Sequence, residues 1–529
     1  MKTLQKVINL DSIKNVDKNL LYESFSNFIE IGSTATERGT FYDKKEDIIE
    51  AVKKSHQTLF EINRGIYAIS LLMDGTTDFN KIIGITKLLH SDALKDNSII
   101  DLAFETRIIQ YLTTTLPIQR RLKLFKKIKE LKINNSRTRN LILYTIFSEP
   151  NKLEWWSVKY RKKIYNALEH AWGKKLTSII GKILYDRTPP NFFLNEKEFK
   201  ILKQNIEKYV RSDSHVKEIL PIICFILNNK LNNNELSDFV LFKVPIIRSF
   251  IEAKTDIKRG TKLPREVLEG IRSTYHKDIS SAEVLELTKG SLSETAKLKV
   301  QKSAEKHGVS VSFNIEKQTP LNLYIHSYAN GDMTSEIKEV LDKKAKEISK
   351  DIILDDREIG ILLDASKSQY GSETQPFRPI ALSQVFKDVL MSKAKCHLEI
   401  TGGANGNGLL IPEGDTDLGT NLIKLIKKEP DSIFILTDGY ENSSAGRVNE
   451  IIEATKKIGL DIKFFQITPT TASESSGIKK LSKNIIKVSS SDPKALNTSL
   501  VLAALKENPE DGLKKLLNIT TKKLELWNK

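Results

Sequence analysis

Cysteine is nearly missing from this chain: two residues in 529, Cys224 and Cys396. Two thiols cannot staple a disulfide framework, so the sequence points to a reducing, cytoplasmic setting. Cys224 sits in the apolar run 221–225 and reads as a buried small hydrophobe. The 25 glycines and 15 prolines are too few for a fibrous or generally disordered protein. No window approaches the run of about 18 apolar residues that a membrane span needs. The opening segment MKTLQKVINLDSIKNVDKNL lacks the apolar core of a signal peptide, so a soluble protein is expected. A glycine-rich phosphate loop, a zinc-ligand spacing and a plausible Ser/His/Asp arrangement are also missing, and an enzyme is not expected.

What is present is positive charge, unevenly placed. The chain carries 83 Lys+Arg against 67 Asp+Glu, a net of +16. Residues 351–529 hold 24 of each sign, so the whole excess lies before 351. Within that part, 117–175 holds 16 basic and 4 acidic residues. A cation-rich surface attracts polyanions, nucleic acid first among them, whereas the bland alternative is a solvated lysine-rich face.

Residues 1–350 read as mostly helical. Amphipathic stretches at 46–52, 99–112, 120–131, 139–147, 158–171 and 196–210 show apolar residues three and four apart. Short breaks such as 134–136, 149–151, 188–190 and 228–234 separate them. A stacked, HEAT-like helical-repeat domain is expected, although no fixed repeat period is visible. A short strand is expected at 308–313, and a charged helix at 333–350.

From 351 the pattern changes. Apolar runs at 359–363, 432–436 and 462–467 alternate with helical patterns at 380–393, 420–428 and 447–458, with lesser strands at 397–401 and 484–488. Such alternation indicates a doubly wound α/β domain, 351–529, with a parallel sheet covered on both faces. Ligands of such sheets bind at the carboxyl ends of the strands. The first strand ends on Asp364-Ala365-Ser366-Lys367-Ser368, a second ends on Thr437-Asp438-Gly439, and Gly414-Asp415-Thr416-Asp417 precedes a helix between them. Two carboxylates and three hydroxyls are hard oxygen donors suited to Mg²⁺ or Mn²⁺. The alternative is a polar strand-end turn, which Asp and Ser favour through their own backbone bonds.

The DASKS motif, the threonine and the Thr-Asp-Gly, in that order, resemble the metal-ion-dependent adhesion site of von Willebrand factor A domains. The resemblance implies that Ser366 and Ser368 ligate a metal directly and that Asp364, Thr416 and Asp438 do so directly or through water, with Thr420 a rival for Thr416. It also implies an open position for an acidic group of a partner.

In the basic stretch stand Arg120, Arg121, Lys123, Lys126, Lys127, Lys129, Arg137, Arg139, Lys159, Arg161, Lys162, Lys163, Lys174 and Lys175, interleaved with Trp155, Trp156, Tyr160, Tyr165 and Trp172. Cations grip phosphates and exposed aromatic faces stack on unpaired bases. For Trp155 and Trp172 the competing reading is core packing, for Lys162 and Lys163 an exposed helix face, and His170 reads as structural. A basic helical array ahead of an A domain resembles the Ro (TROVE) family of RNA-binding proteins. That resemblance implies a ring of helical repeats that binds small structured noncoding RNA and single-stranded RNA ends, closed by the A domain. The expected function is RNA quality control or processing by a monomeric ribonucleoprotein component. The alternative is a metal-dependent scaffold whose A domain recruits a protein such as an AAA+ ATPase.

Overall fold

A computed structural model describes residues 16–35, 44–90, 98–186, 195–210, 213–228, 244–443, 445–469 and 480–527. Compactness divides the chain into two units, one of residues 1–84, 93–108 and 315–529, the other of 85–92 and 109–314.

The first unit is built on a sheet. Its strands are β1 (Glu358–Asp364), the short pair β2 (Gly371–Ser372) and β3 (Gln375–Pro376), β4 (Lys395–Thr401), the hairpin β5 (Ala404–Gly406) and β6 (Leu409–Ile411), β7 (Ser432–Leu436), β8 (Lys463–Pro469) and β9 (Ile486–Ser490). Five of them form one sheet in the order β4-β1-β7-β8-β9, every pairing parallel. The three apolar runs are β1, β7 and β8, and they occupy the middle of it. Helices Leu418–Ile426 and Arg447–Lys457 cover one face, burying Leu362, Ile433, Ile435 and Phe464. Helix Arg378–Met391 covers the other. Sheets with both faces covered need apolar residues on both sides of each central strand, which is why these runs do not alternate.

The connection from β1 to β4 runs one way along the sheet, and that from β7 to β8 runs the other. The crevice of a doubly wound sheet therefore opens between the carboxyl ends of β1 and β7. The register pairs Leu363 with Leu436, which sets Asp364 beside Thr437.

Compactness places the division elsewhere than at 350. Helix Lys18–Thr34 packs on β9 and on helix Leu496–Glu507, and Glu30 pairs with Lys487 at 2.7 Å. Helix Ser335–Ser349 packs on Arg378–Met391. Chain that is distant in sequence thus completes the layers around the sheet.

The second unit is helical. Its longest helix, Pro150–Trp172, is kinked at Tyr160 and carries Ile118–Glu130, Ser136–Phe147, Lys174–Asp186, Asp213–Leu227 and Pro245–Glu252 around it. Proline at its first position and Gly173 at positive φ just beyond it mark both ends. The strand expected at 308–313 does not form. Among the described residues 309–314 pair with no strand, and Val309 and Val311 instead bury against Leu285 and Ala304. The breaks expected at 188–190 and over most of 228–234 lie outside the described residues. Both cysteines are free, Cys224 buried and Cys396 half-buried. Among the described residues no helix is long and apolar enough to cross a membrane.

In the first unit, Arg64 and Glu105 form a fully buried bidentate pair at 2.6 and 2.8 Å. Removing one partner strands the other charge away from water. Glu105→Ala should therefore cost about 3–5 kcal/mol, read as a fall in the chemical-denaturation midpoint.

Candidate functional site

The crevice is assembled by backbone before any side chain acts. Beyond β4, Gly402 and Gly403 adopt φ of +67° and +76°. A Cβ on Gly402 would lie 2.7 Å from the Glu413 carbonyl oxygen and 3.0 Å from the Ser366 backbone. A residue with a side chain would push these loops apart. With glycine there, Ala365 N–H donates to Thr401 O at 2.8 Å, Glu413 N–H to Ala365 O at 3.0 Å and Lys367 N–H to Gly414 O at 3.2 Å. Three chain segments are laced together around the end of β1.

Asp364 is fully buried. Its Oδ1 accepts from Ser366 N–H at 3.0 Å and its Oδ2 from the Thr437 hydroxyl at 2.7 Å. The hydroxyls of Ser366 and Ser368 are 3.2 Å apart, the first buried and the second exposed. Asp438 is half-buried, and its Oδ1 accepts from Tyr440 N–H. Burial pushes the Asp364 carboxyl up to about 6, and the negative charge of Asp438 acts in the same direction against the hydrogen bonds from Ser366 and Thr437. Thr416 is 1% exposed and its hydroxyl oxygen has no hydrogen-bond partner.

Those features fit a small hard cation. The donors are two carboxylates whose charges oppose each other and hydroxyl oxygens, one of them buried and unsatisfied. Among the described residues no group of three or more His, Cys, Asp or Glu gathers as a metal cluster, so the donor set here is hydroxyl-rich. Between the two threonines the geometry distinguishes. Thr420 is exposed in the first turn of Leu418–Ile426, tied to the capping carboxylate of Asp417, whereas Thr416 is buried with a free oxygen. Sequence reasoning passed over the two glycines and the bond from Thr437 to Asp364. The Gly-Gly pair directly after a strand was the available signal.

The helical unit has a cavity of about 680 Å³ between Ile118–Glu130 and Pro150–Trp172. Arg120, Lys123, Lys126, Lys129 and Lys163 line it, with Glu130 the single acidic residue. Leu122, Phe125 and Ala167 form its apolar wall. The helical period explains the cluster, because 120, 123 and 126 share one side of a helix whose Leu122, Leu124, Phe125 and Ile128 face inward.

The basic residues singled out in the sequence divide. Arg121 is buried, its guanidinium bonded to the carbonyls of Leu116 and Thr114 and to Glu149 at 2.7 Å, with Trp156 beneath it. Arg161 lies 3.8 Å from the Phe225 ring and donates to the carbonyls of Phe225 and Asn228. Burial draws its pKa down to about 10. Both arginines fasten the helical packing. Lys159 pairs with Glu266 at 3.1 Å. Lys127 and Arg137 are half-buried, while Arg120, Lys126, Arg139, Lys162, Lys163, Lys174 and Lys175 are exposed.

The aromatics divide too. Trp155 is 38% exposed beside a second cavity of about 530 Å³, whereas Trp172 packs on Phe147. His170 bonds to the carbonyl of Ile133, a structural role as expected.

The Asp364 carboxyl sets a pH dependence. Its folded pKa, about 6, lies above its ordinary value of 3.8, so the folded state holds the proton more tightly. With divalent metal chelated, stability should fall by about 3 kcal/mol as pH rises from roughly 4 to 6, then level off. Asp364→Asn should flatten that slope in chemical denaturation. In comparisons with known proteins, no family model matches this chain and no curated protein matches it.

Proposed function

We propose that this chain is an RNA-binding protein of the Ro (TROVE) kind, a HEAT-like helical array that grips phosphates, joined to a von Willebrand factor A-like domain. The cavity lined by Arg120, Lys123, Lys126, Lys129 and Lys163 is the observation that carries the reading. Five cations around one recess suit the phosphates of a folded or single-stranded RNA segment better than a scattered lysine surface does. Its expected role is binding small noncoding RNA in quality control or processing, without catalysis. Two free cysteines fit a cytoplasmic setting.

The interface is mainly electrostatic, so affinity for a structured RNA should drop about a hundredfold between 50 and 200 mM salt. Lys123→Glu with Lys163→Glu should weaken binding at least tenfold, measured by filter binding. Arg121 is unsuitable for this test because its loss would disturb packing. Failure to bind RNA at low salt, or affinity indifferent to salt, sinks the reading.

A second reading is favoured by the unsatisfied Thr416 hydroxyl. In it the crevice holds Mg²⁺ or Mn²⁺ through Ser366, Ser368, Thr416, Asp364 and Asp438, and recruits an acidic residue of a protein partner such as an AAA+ ATPase. The two readings are compatible. Millimolar Mg²⁺ or Mn²⁺ should raise the melting temperature of the full chain. Thr416→Val, which keeps the shape, and Asp438→Asn should each reduce the shift. A wild-type chain indifferent to both metals counts against the site.

A further inference from the structure

The two edges of the sheet differ. β9 is buried along its whole length, with helices Lys18–Thr34 and Leu496–Glu507 packed on it. β4 pairs only with β1, and its Leu398 and Ile400 are 36% and 38% exposed. The hairpin β5–β6 that follows pairs with itself instead of extending the sheet. Natural proteins usually blunt an open edge with proline, central charge or a covering element; here Lys395, His397 and Glu399 flank the apolar residues and helix Leu418–Ile426 packs on β4. Among the described residues the outer side of β4 has no strand partner.

The orientation of this edge follows from the ladder. Thr401 C=O accepts from Ala365 N–H on the β1 side. Alternation then turns the peptide groups of Cys396, Leu398 and Ile400 outward. Ile400 C=O does point outward, where the Asn421 side chain donates to it at 3.1 Å. That carbonyl retains a second lone pair.

We propose that β4 pairs antiparallel with β4 of a second copy of this chain, about a two-fold axis at Leu398. An isologous interface demands a patch that complements itself, and this one does. Centring on Leu398 sets Cys396 opposite Ile400, Leu398 opposite itself and Ile400 opposite Cys396, so the outward peptide groups of one copy meet those of the other. On one face the side chains form an apolar row. On the other, His397 stands opposite Glu399 on each side of the axis, each already held within its own chain, by Glu358 and by Lys424, so no like charges oppose one another. A ten-stranded sheet continuous through two copies results, in place of the monomer expected from the sequence. The inference is independent of the proposed RNA and metal roles.

The test is sedimentation equilibrium of the full chain over a concentration series, with three variants. Wild type should show a monomer–dimer equilibrium. Leu398→Lys, which keeps the backbone but places charge on the axis, and Leu398→Pro, which removes the central outward N–H, should both be monomeric, with melting curves confirming that they fold. Ile400→Cys should give a covalent dimer on mild oxidation, its disulfide joining Cys396 of one copy to the introduced thiol of the other by peptide mass mapping. A wild-type chain that stays monomeric throughout, or a dimer untouched by Leu398→Lys, overturns the proposal. So does a dimer in which that disulfide fails to form.

Discussion

The structure of the sheet unit turns on a carboxylate placed where water cannot reach it. Asp364 stands fully buried at the end of β1, with the charge of Asp438 close enough to oppose its ionisation. Hydrogen bonds from Ser366 and Thr437 compensate in part. A group in this position has two ways to relieve its desolvation, a proton or a cation. The parallel register makes the choice consequential. It fixes Asp364 beside Thr437 and holds the neighbouring loops through backbone bonds, so the carboxylate cannot swing out to solvent. The glycines at 402 and 403 serve the same end, because they allow the loops to close tightly enough to exclude water. An acid kept there in spite of its cost is held by Ser366 and Thr437 at the carboxyl end of β1, where the crevice opens.

In the helical unit, net charge and usable charge are different quantities. In the stretch 117–175 two arginines serve the packing, while Arg120 and Arg139 stay exposed with most of the lysines. Arg121 is buried and Arg161 half-buried, each guanidinium spanning two carbonyls and an aromatic face. The planar fork of arginine can satisfy several carbonyls at once, which a lysine ammonium on a flexible stem does less well. Lys126, Lys162, Lys163, Lys174 and Lys175 remain outside. A count of cations overstates the surface for a polyanion, and the cavity lining gives the better measure.

Much of the α/β part was legible in the sequence because its signals are local. The runs 432–436 and 359–363 coincide with β7 and lie within β1, and the strand-end motifs converge as their topology requires. The helical stretches also formed, with ends shifted by the caps: Asn135 starts Ser136–Phe147 and a 3₁₀ turn at Glu207–Tyr209 interrupts the stretch expected at 196–210. What was not legible is non-local. The alternation Val309, Val311 suggested a strand, but those residues bury against a helix and find no ladder. The packing role of Arg121 and Arg161 depends on partners as distant as Glu149 and Asn228. The recruitment of helix Lys18–Thr34 to β9 leaves no mark in composition.

The strength of each strand signal in the sequence carries positional information of its own. β1, β7 and β8 lie inside the sheet with both faces covered, and they read as continuous apolar runs. β9 lies at an edge but is buried along its whole length, and even Lys487 within it is only 9% exposed, neutralised by Glu30. Only β4 alternates between exposed and half-buried positions, and it was the weakest of the parallel-sheet patterns along with the start of β9. A strand that needs no apolar residues on its outer positions is one whose surroundings do not force them. Yet Leu398 and Ile400 are apolar in positions that solvent reaches. Folding of the single chain covers only part of each, and the rest of their apolar surface is left to whatever meets the edge.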